Sequence, residues 1–390
     1  GLCLRQWRFC SSRSAGGFTG SNGGNGGVIL YRKKASRIWI CHAVWLLGIL
    51  PFVACNTRTA RDVRPVLEDR FTLRFAGDVI MAVSMDRYIR EKGPGYPVAR
   101  VRDWLMAADH TVCNLESCYT TNGTAVPGKA YTFRARPEYM AILADAGVDA
   151  VSLANNHLLD FGQTGMADTL AALRRWRIAG FGAGRNPDEA FRPHTVFLGK
   201  NAVYMFSVCD VYPPSYHAGP ARPGTAPLDM VRLKAAISNH RHPGALIIVQ
   251  PHWGYERHAL PNPAQRRQAR EMIDAGADAV IGHHPHVPQS IEIYKNKPVI
   301  YSLGNFIVGY WNSGYRNNIG VTLLCREGRI AALRLHSFAG RNHLIGFQPF
   351  LVTGEAGKAD MRYLEAISRP FGTKILIEPD GTGRIELPPG

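Results

Sequence analysis

Five apolar runs, each stopping on residues that bind metals or move protons, constrain this chain more than any other feature. FTLRFAGD (71–78) ends on Asp78, and ADHTVCNLE (108–116) ends on Asn114-Leu115-Glu116. VDAVSLANNH (148–157) ends on Asn155-Asn156-His157, ALIIVQPHWG (245–254) on His252-Trp253-Gly254, and ADAVIGHHPH (277–286) on His284-Pro285-His286. Helical patterns separate them at 137–146, 165–177, 227–240 and 263–275. Proline at or near several helix starts and glycine just past two helix ends (Gly147 and Gly276) fit that reading. Strand–helix alternation with nearly continuous apolar strands predicts an α/β fold with buried strands. In such sheets ligands bind beyond the carboxyl ends of the strands, so the five polar clusters are expected to form one shared site.

Beyond residue 287 the pattern becomes β-rich. Residues 291–308 and 321–338 each read as two strands around a turn, at Lys295-Asn296-Lys297 and Glu327-Gly328. They predict the second half of a sandwich, followed by a helix over 355–370 and a hairpin turning at Pro379-Asp380-Gly381.

The chemistry of the strand ends is specific in combination. His284 and His286 can both aim at one point from a turn, and His252 adds a third imidazole; Asp78 and Glu116 add hard carboxylates. A carboxylate that bridges two cations about 3.5–4 Å apart is the usual core of a two-metal hydrolytic site. Asn156 offers a carbonyl oxygen. His157 reads as the proton donor to a leaving group, with Asp160 fixing its tautomer. Glu256 and Asn305 read as cleft residues that meet substrate. Arg74, Lys129, Arg134 and Arg136 are available to an anion, with surface solvation as their ordinary fate.

Charge and cysteines narrow the classes. The chain has 390 residues and a formal net charge of +16; residues 1–70 hold eleven Lys/Arg against three Asp/Glu. The rest is still basic, which suits an anionic substrate or an acidic surface. No nucleic-acid-binding motif is present, so nucleic acid is not expected as a partner. Cys113, Cys118, Cys209 and Cys325 are irregularly spaced and contain no CxxC, which argues against a cysteine zinc site. A Cys113–Cys118 bridge is the one pairing that spacing suggests.

The N-terminal part reads as an export signal. Arg-Lys-Lys-Ala-Ser-Arg (32–37) precedes an almost wholly apolar stretch, 38–54, that closes on Phe52-Val53-Ala54-Cys55. A small residue before Cys resembles a bacterial lipoprotein box, with Cys55 as the lipidated residue; an uncleaved signal anchor is the alternative. Either places the folded part on the extracytoplasmic face of the cell membrane. Residues 1–27 read as disordered or as lying upstream of the natural start, 28–55 as the signal, and 56–70 as a linker. The folded domain spans 71–373, and 374–390 form a C-terminal β-hairpin extension.

At these residues the sequence resembles the CapA family, also called PgsA-like or poly-γ-glutamate capsule synthesis proteins, a branch of the calcineurin-like metallophosphoesterases. The matching pieces are Phe75-Ala76-Gly77-Asp78, Asn114-Leu115-Glu116, Ala154-Asn155-Asn156-His157 with Asp160 and Gly162, and His252-Trp253-Gly254 with Glu256. They continue with Gly282-His283-His284-Pro285-His286-Val287, Ser302-Leu303-Gly304-Asn305-Phe306 and Arg369-Pro370-Phe371-Gly372-Thr373. The resemblance implies a four-layer α/β/β/α sandwich around a cleft for divalent manganese, iron or zinc. It implies Asp78, Glu116 and His286 on one metal, and Glu116, Asn156, His252 and His284 on the second. The phosphoesterase pattern has Asp-x-His on the first strand, whereas here Val79 and Ile80 follow Asp78, leaving the first metal short of a histidine. The implied role is synthesis, export or processing of capsule or poly-γ-glutamate beside the capsule machinery. The alternatives are a metal-dependent phosphoesterase or hydrolase of a small substrate, and a non-catalytic polymer-binding scaffold.

Overall fold

The computed structural model describes residues 70–311 and 316–388; the signal and lipoprotein-box readings and all but the last residue of the linker lie outside the described residues. Strands are numbered in chain order. The main path of a 10-stranded sheet runs β14 (Leu376–Ile377), β15 (Gly383–Glu386), β13 (Arg329–Phe338), β12 (Asn318–Arg326), β1 (Arg70–Ile80), β2 (His110–Leu115), β3 (Ala150–Ser152), β4 (Ala179–Phe181). A 6-stranded sheet runs β9 (Ile291–Tyr294), β10 (Lys297–Ile300), β8 (Ala279–Ile281), β7 (Ala245–His252), β6 (Asn201–Cys209), β5 (His194–Leu198).

Alternation along the buried strands decides the layering, because successive side chains point to opposite faces. Leu73, Phe75 and Val112 meet Val203, Met205, Leu246 and Ile248 in the core between the two sheets. On the outer face of the first sheet, Val79, Cys113, Leu115 and Val151 pack against helices. These are α1 (Ser84–Lys92), α2 (Arg102–Met106), α3 (Met140–Asp145) and α4 (Gly162–Arg175). On the outer face of the second sheet, Phe206, Val208, Ile247 and Val249 pack against α5 (Met230–His240) and α6 (Pro263–Asp274). Three cores between four layers make an α/β/β/α sandwich.

Helix ends follow local chemistry. Asn262 and Gln265 form a reciprocal capping box at the start of α6. Gly147 (φ 87°) and Gly276 (φ 113°) sit just past α3 and α6, as the sequence predicts. The closing helix α7 spans Gly354–Ser368, and β14 and β15 form a hairpin alongside β13. Lys295 and Asn296, both with positive φ, make the tight turn between β9 and β10.

Two expectations change. Residues 291–308 hold three strands, and the last, β11 (Asn305–Val308), leaves the second sheet to pair parallel with β1 in the first. Gly77 permits that crossing: a Cβ there would lie 2.0 Å from the Gly304 carbonyl oxygen, and the Asp78 amide donates to this oxygen at 3.0 Å. The four described cysteines are free and buried, so Cys113 and Cys118 are not bridged. Among the described residues no helix is long and apolar enough to cross a membrane.

Candidate metal centre

The carboxyl ends of β1, β2, β3, β7 and β8 converge on one buried cluster. Asp78 and Glu116 are 0% exposed, and Asn156, His252, His284 and His286 are all buried. Candidate ligand atoms of Asp78, Glu116 and His286 lie within 4.8 Å of one another, as do those of Glu116, His252 and His284. Glu116 belongs to both triads, the position a bridging carboxylate needs. Asn156 joins the second: its Oδ1 lies 2.8 Å from His252 Nε2. Glu256 is exposed, yet it reaches His284 and His286 closely enough to form a third triad.

The backbone is bent to achieve this. His284 (φ 96°) and His286 (φ 58°) both occupy positive φ, a conformation that costs of order 1–3 kcal/mol per non-glycine residue and persists where surrounding structure imposes it. The Trp253 amide donates to the His283 carbonyl and the His283 amide to the Pro251 carbonyl, tying the loop after β8 to the end of β7. His252 and His284 are thereby set with ring centroids 4.9 Å apart. Gly282 leaves room for this seam, since a Cβ there would meet the Tyr301 carbonyl oxygen at 2.0 Å.

The electrostatics are those of a site prepared for cations. Burial would raise Asp78, but hydrogen bonding and charge from His283 and His286 hold it well below the usual carboxylate range. Burial and the charge of Asp78 push Glu116 well above its ordinary value. Burial alone would lower His286, yet the carboxylates of Glu116 and Asp78 raise it to about 9. Burial and neighbouring histidines keep His252 far below 6.5 and His284 at about 3, so both are neutral imidazoles. Glu116 Oε1 and His284 Nδ1 are buried without hydrogen-bond partners. Orphaned buried acceptors are costly, and a divalent cation removes that cost. The donor set fits manganese, iron or zinc.

Several contacts lay beyond the sequence reading. Asn114 Nδ2 donates to Asp78 Oδ1 at 2.9 Å and to Glu116 Oε2 at 3.3 Å, and Asn155 Nδ2 donates to Asn114 Oδ1 at 3.2 Å. His283 Nδ1 lies 3.3 Å from Asp78 Oδ1. Ile80, where the phosphoesterase pattern has a histidine, packs with Ala82, Phe133 and Val308. Asn305 is 1% exposed and sets Oδ1 3.0 Å from His286 Nδ1, so it orients a candidate ligand instead of lining open cleft.

His157 stands beside the cluster with Nδ1 2.8 Å from Asp160 Oδ2. Asp160 also accepts the Phe133 amide at 2.6 Å and the Lys129 ammonium. Lys129 is therefore not a solvated surface charge: its side chain is 4% exposed. Arg74 is likewise buried, donating to Thr322 Oγ1 at 3.0 Å over the Trp104 ring. Arg134 donates to the Gly123 carbonyl at 2.8 Å, and Arg136 pairs with Asp86 at 2.9 Å. None of the four lines the cleft. That cleft is a cavity of about 410 Å³ above His157 and His286, walled by Val83, Tyr131, Phe133, Tyr310 and Trp311, with Glu256 and Arg257 at its side.

A family model described as bacterial capsule synthesis protein PGA_cap matches residues 72–310. The PGA biosynthesis protein CapA of Bacillus subtilis (strain 168) is 29% identical over 279 residues, covering 71% of this chain and 73% of that protein. A probable polyglutamine synthesis accessory protein of Mycobacterium tuberculosis (strain ATCC 25618 / H37Rv) is 33% identical over 295 residues, covering 70% of this chain and 76% of that one. A solved structure of a hypothetical protein from Thermus thermophilus aligns with a TM-score of 0.43 at 16% identity, covering 69% of this chain and 99% of that one.

Proposed function

The chain belongs to the family of bacterial capsule synthesis proteins, and we propose that it binds and processes an anionic poly-γ-glutamate-type polymer through the Glu116-centred cleft. In this reading it works from the extracytoplasmic face, held to the membrane by the segment around Cys55, next to other capsule-synthesis proteins. The observation that carries the metal-dependent part is the pair of donor triads sharing Glu116 on the floor of the cleft.

Asp78, Glu116 and His286 would hold one divalent ion, and Glu116, Asn156, His252 and His284 the other. When bound, the ions supply Lewis-acid polarisation of a carbonyl or phosphoryl oxygen. The protein's own residues do the rest. Asp160, an acceptor for three donors, keeps the His157 Nδ1 proton on its side, which leaves Nε2 for the cleft. Burial lowers the pKa of His157, so the ring is neutral at pH 7. Nε2 is then the atom that takes up the proton released by the attacking water and hands it to the departing group. Tyr131, Phe133 and Tyr310 give the cavity its aromatic lining.

The modest cavity with aromatic walls favours a second reading, a metal-dependent phosphoesterase or hydrolase of a small substrate. Incubating the full chain plus Mn²⁺ with poly-γ-glutamate, and separately with bis-p-nitrophenyl phosphate, separates the readings. Shortening of the polymer that stops in Glu116→Gln supports the first. Phosphodiester turnover alone replaces it with the second, and polymer binding without cleavage in either assay leaves a scaffold.

A further inference from the structure

Lys129 lies in the irregular segment 120–133, which crosses from β2 to the edge of the cleft. This segment is tied to the Asn156–Asp160 turn at three points: the Val126 amide donates to the Asp160 carbonyl at 2.9 Å, the Phe133 amide to Asp160 Oδ2 at 2.6 Å, and Lys129 fills the space between. Its ammonium donates to Asp160 Oδ1 and to the Asn156 carbonyl, and lies 3.5 Å from His157 Nδ1 and 4.5 Å above the Tyr212 ring. An ammonium carries three N–H donors and no acceptor, so it can serve the Asp160 carboxylate and the Asn156 carbonyl together and still face the Tyr212 ring. A buried ion pair adds little net stability compared with an apolar replacement. What this one adds is a junction: its acceptors belong to a candidate metal ligand and to the partner of the candidate proton carrier. Its own segment carries Tyr131 and Phe133 into the cavity wall.

We propose that Lys129 is a positioning residue that locks the cavity-wall segment onto the Asn156–Asp160 turn, so that metal ligation, the His157–Asp160 pair and the substrate-facing wall are set by one side chain. This rests on the metal-cleft reading above. The test uses the full chain as wild type, Lys129→Met and Lys129→Arg. It measures Mn²⁺ affinity by calorimetry, amide hydrogen exchange in the metal-free protein, and the thermal midpoint. Outer contacts of metal ligands are worth about 10–100-fold in affinity. Lys129→Met is expected to weaken Mn²⁺ binding by at least about tenfold and to lose amide protection selectively over 126–133 and 156–160. Lys129→Arg should recover part of both, because it keeps the charge but not the three-way geometry. If Lys129→Met does not fold, Lys129→Arg is judged by the same selective losses. A lowered midpoint with uniform loss of protection and unchanged Mn²⁺ affinity overturns the proposal in favour of a purely structural ion pair. No change in any readout also overturns it. A wild-type chain that binds no Mn²⁺ refutes the metal reading instead, and the clamp then stands or falls on local protection alone.

Discussion

Replacing Gly77 by alanine isolates the contact on which the site is built. Gly77 does not occupy positive φ, so alanine carries no conformational penalty, and β-propensity alone makes the change nearly neutral. The cost is steric. The new Cβ would sit 2.0 Å from the Gly304 carbonyl oxygen, against an ordinary contact beginning at 3.4 Å. Both partners are backbone, so no rotamer change relieves it, and β1 must move away from residues 304–305 by about 1.4 Å. That breaks the hydrogen bond from the Asp78 amide to Gly304 and separates His286 from either Asp78 or Asn305, both now 3.0 Å away. Overpacking at about 1–3 kcal/mol and a lost buried hydrogen bond at about 1–3 kcal/mol give roughly 2–6 kcal/mol together. At about 2–4 °C per kcal/mol, the thermal midpoint should fall by roughly 4–24 °C. Divalent-metal affinity should fall at least about tenfold. Gly95→Ala, where nothing lies within 4 Å of the added Cβ, is the control and should change neither. Calorimetry and Mn²⁺ titration of both variants decide the matter: a Gly77→Ala midpoint within 2 °C of wild type, with unchanged metal affinity, would refute the argument.

Three further outcomes are expected. Glu116→Gln removes a buried acid already pushed towards its neutral form by burial and Asp78, so the metal-free midpoint should stay or rise while metal affinity drops by about 100-fold or more, since both triads lose the negative charge and the bridging carboxylate; a large loss of metal-free stability would contradict this. His157→Asn should keep metal binding but lower any turnover by about 10²–10⁴-fold, and undiminished turnover would remove His157 from the chemistry. Burial holds His194 at about 4 and His336 at about 3, both below the unfolded value of about 6.5. Because the unfolded chain then binds more protons, their stabilisation is complete above about pH 6.5 and is lost as pH falls towards the folded values. The urea midpoint should therefore decline from pH 7 to pH 5 and decline less in His336→Leu, and a flat or rising wild-type profile would be wrong for these assignments.

The strand-end residues were legible in the sequence because two local signals coincide there. An apolar run gives the strand, and the residue that stops it gives the chemistry, so Asp78, Glu116, His252, His284 and His286 group together from the sequence alone. Contacts set by distant segments were not legible. Lys129 reads as a solvated loop charge because its acceptor, Asp160, is 31 residues away and only the folded turn brings it near. Asn114 stands in a visible motif, but its double donation to Asp78 and Glu116 depends on the register of β1 and β2. His283 could be seen beside two candidate ligands, yet its aim at Asp78 follows from the positive-φ turn after Gly282. The departure of β11 into the other sheet has a faint signal in Gly77 and Gly304, whose close approach neither residue announces alone. The helices were simpler, since apolar period and glycine stops are local; α6 differs from its expected span by one residue at its C-terminal end.

Glu116, shared by both donor triads, is the residue expected to stand between two cation positions. Anomalous diffraction from crystals of the chain grown with Mn²⁺ tests it most directly. One peak is expected among Glu116, Asn156, His252 and His284 and a second, weaker one among Asp78, Glu116 and His286, both absent in Glu116→Gln. Saturating Mn²⁺ with no anomalous peak at either triad, or peaks unaltered in Glu116→Gln, would contradict it.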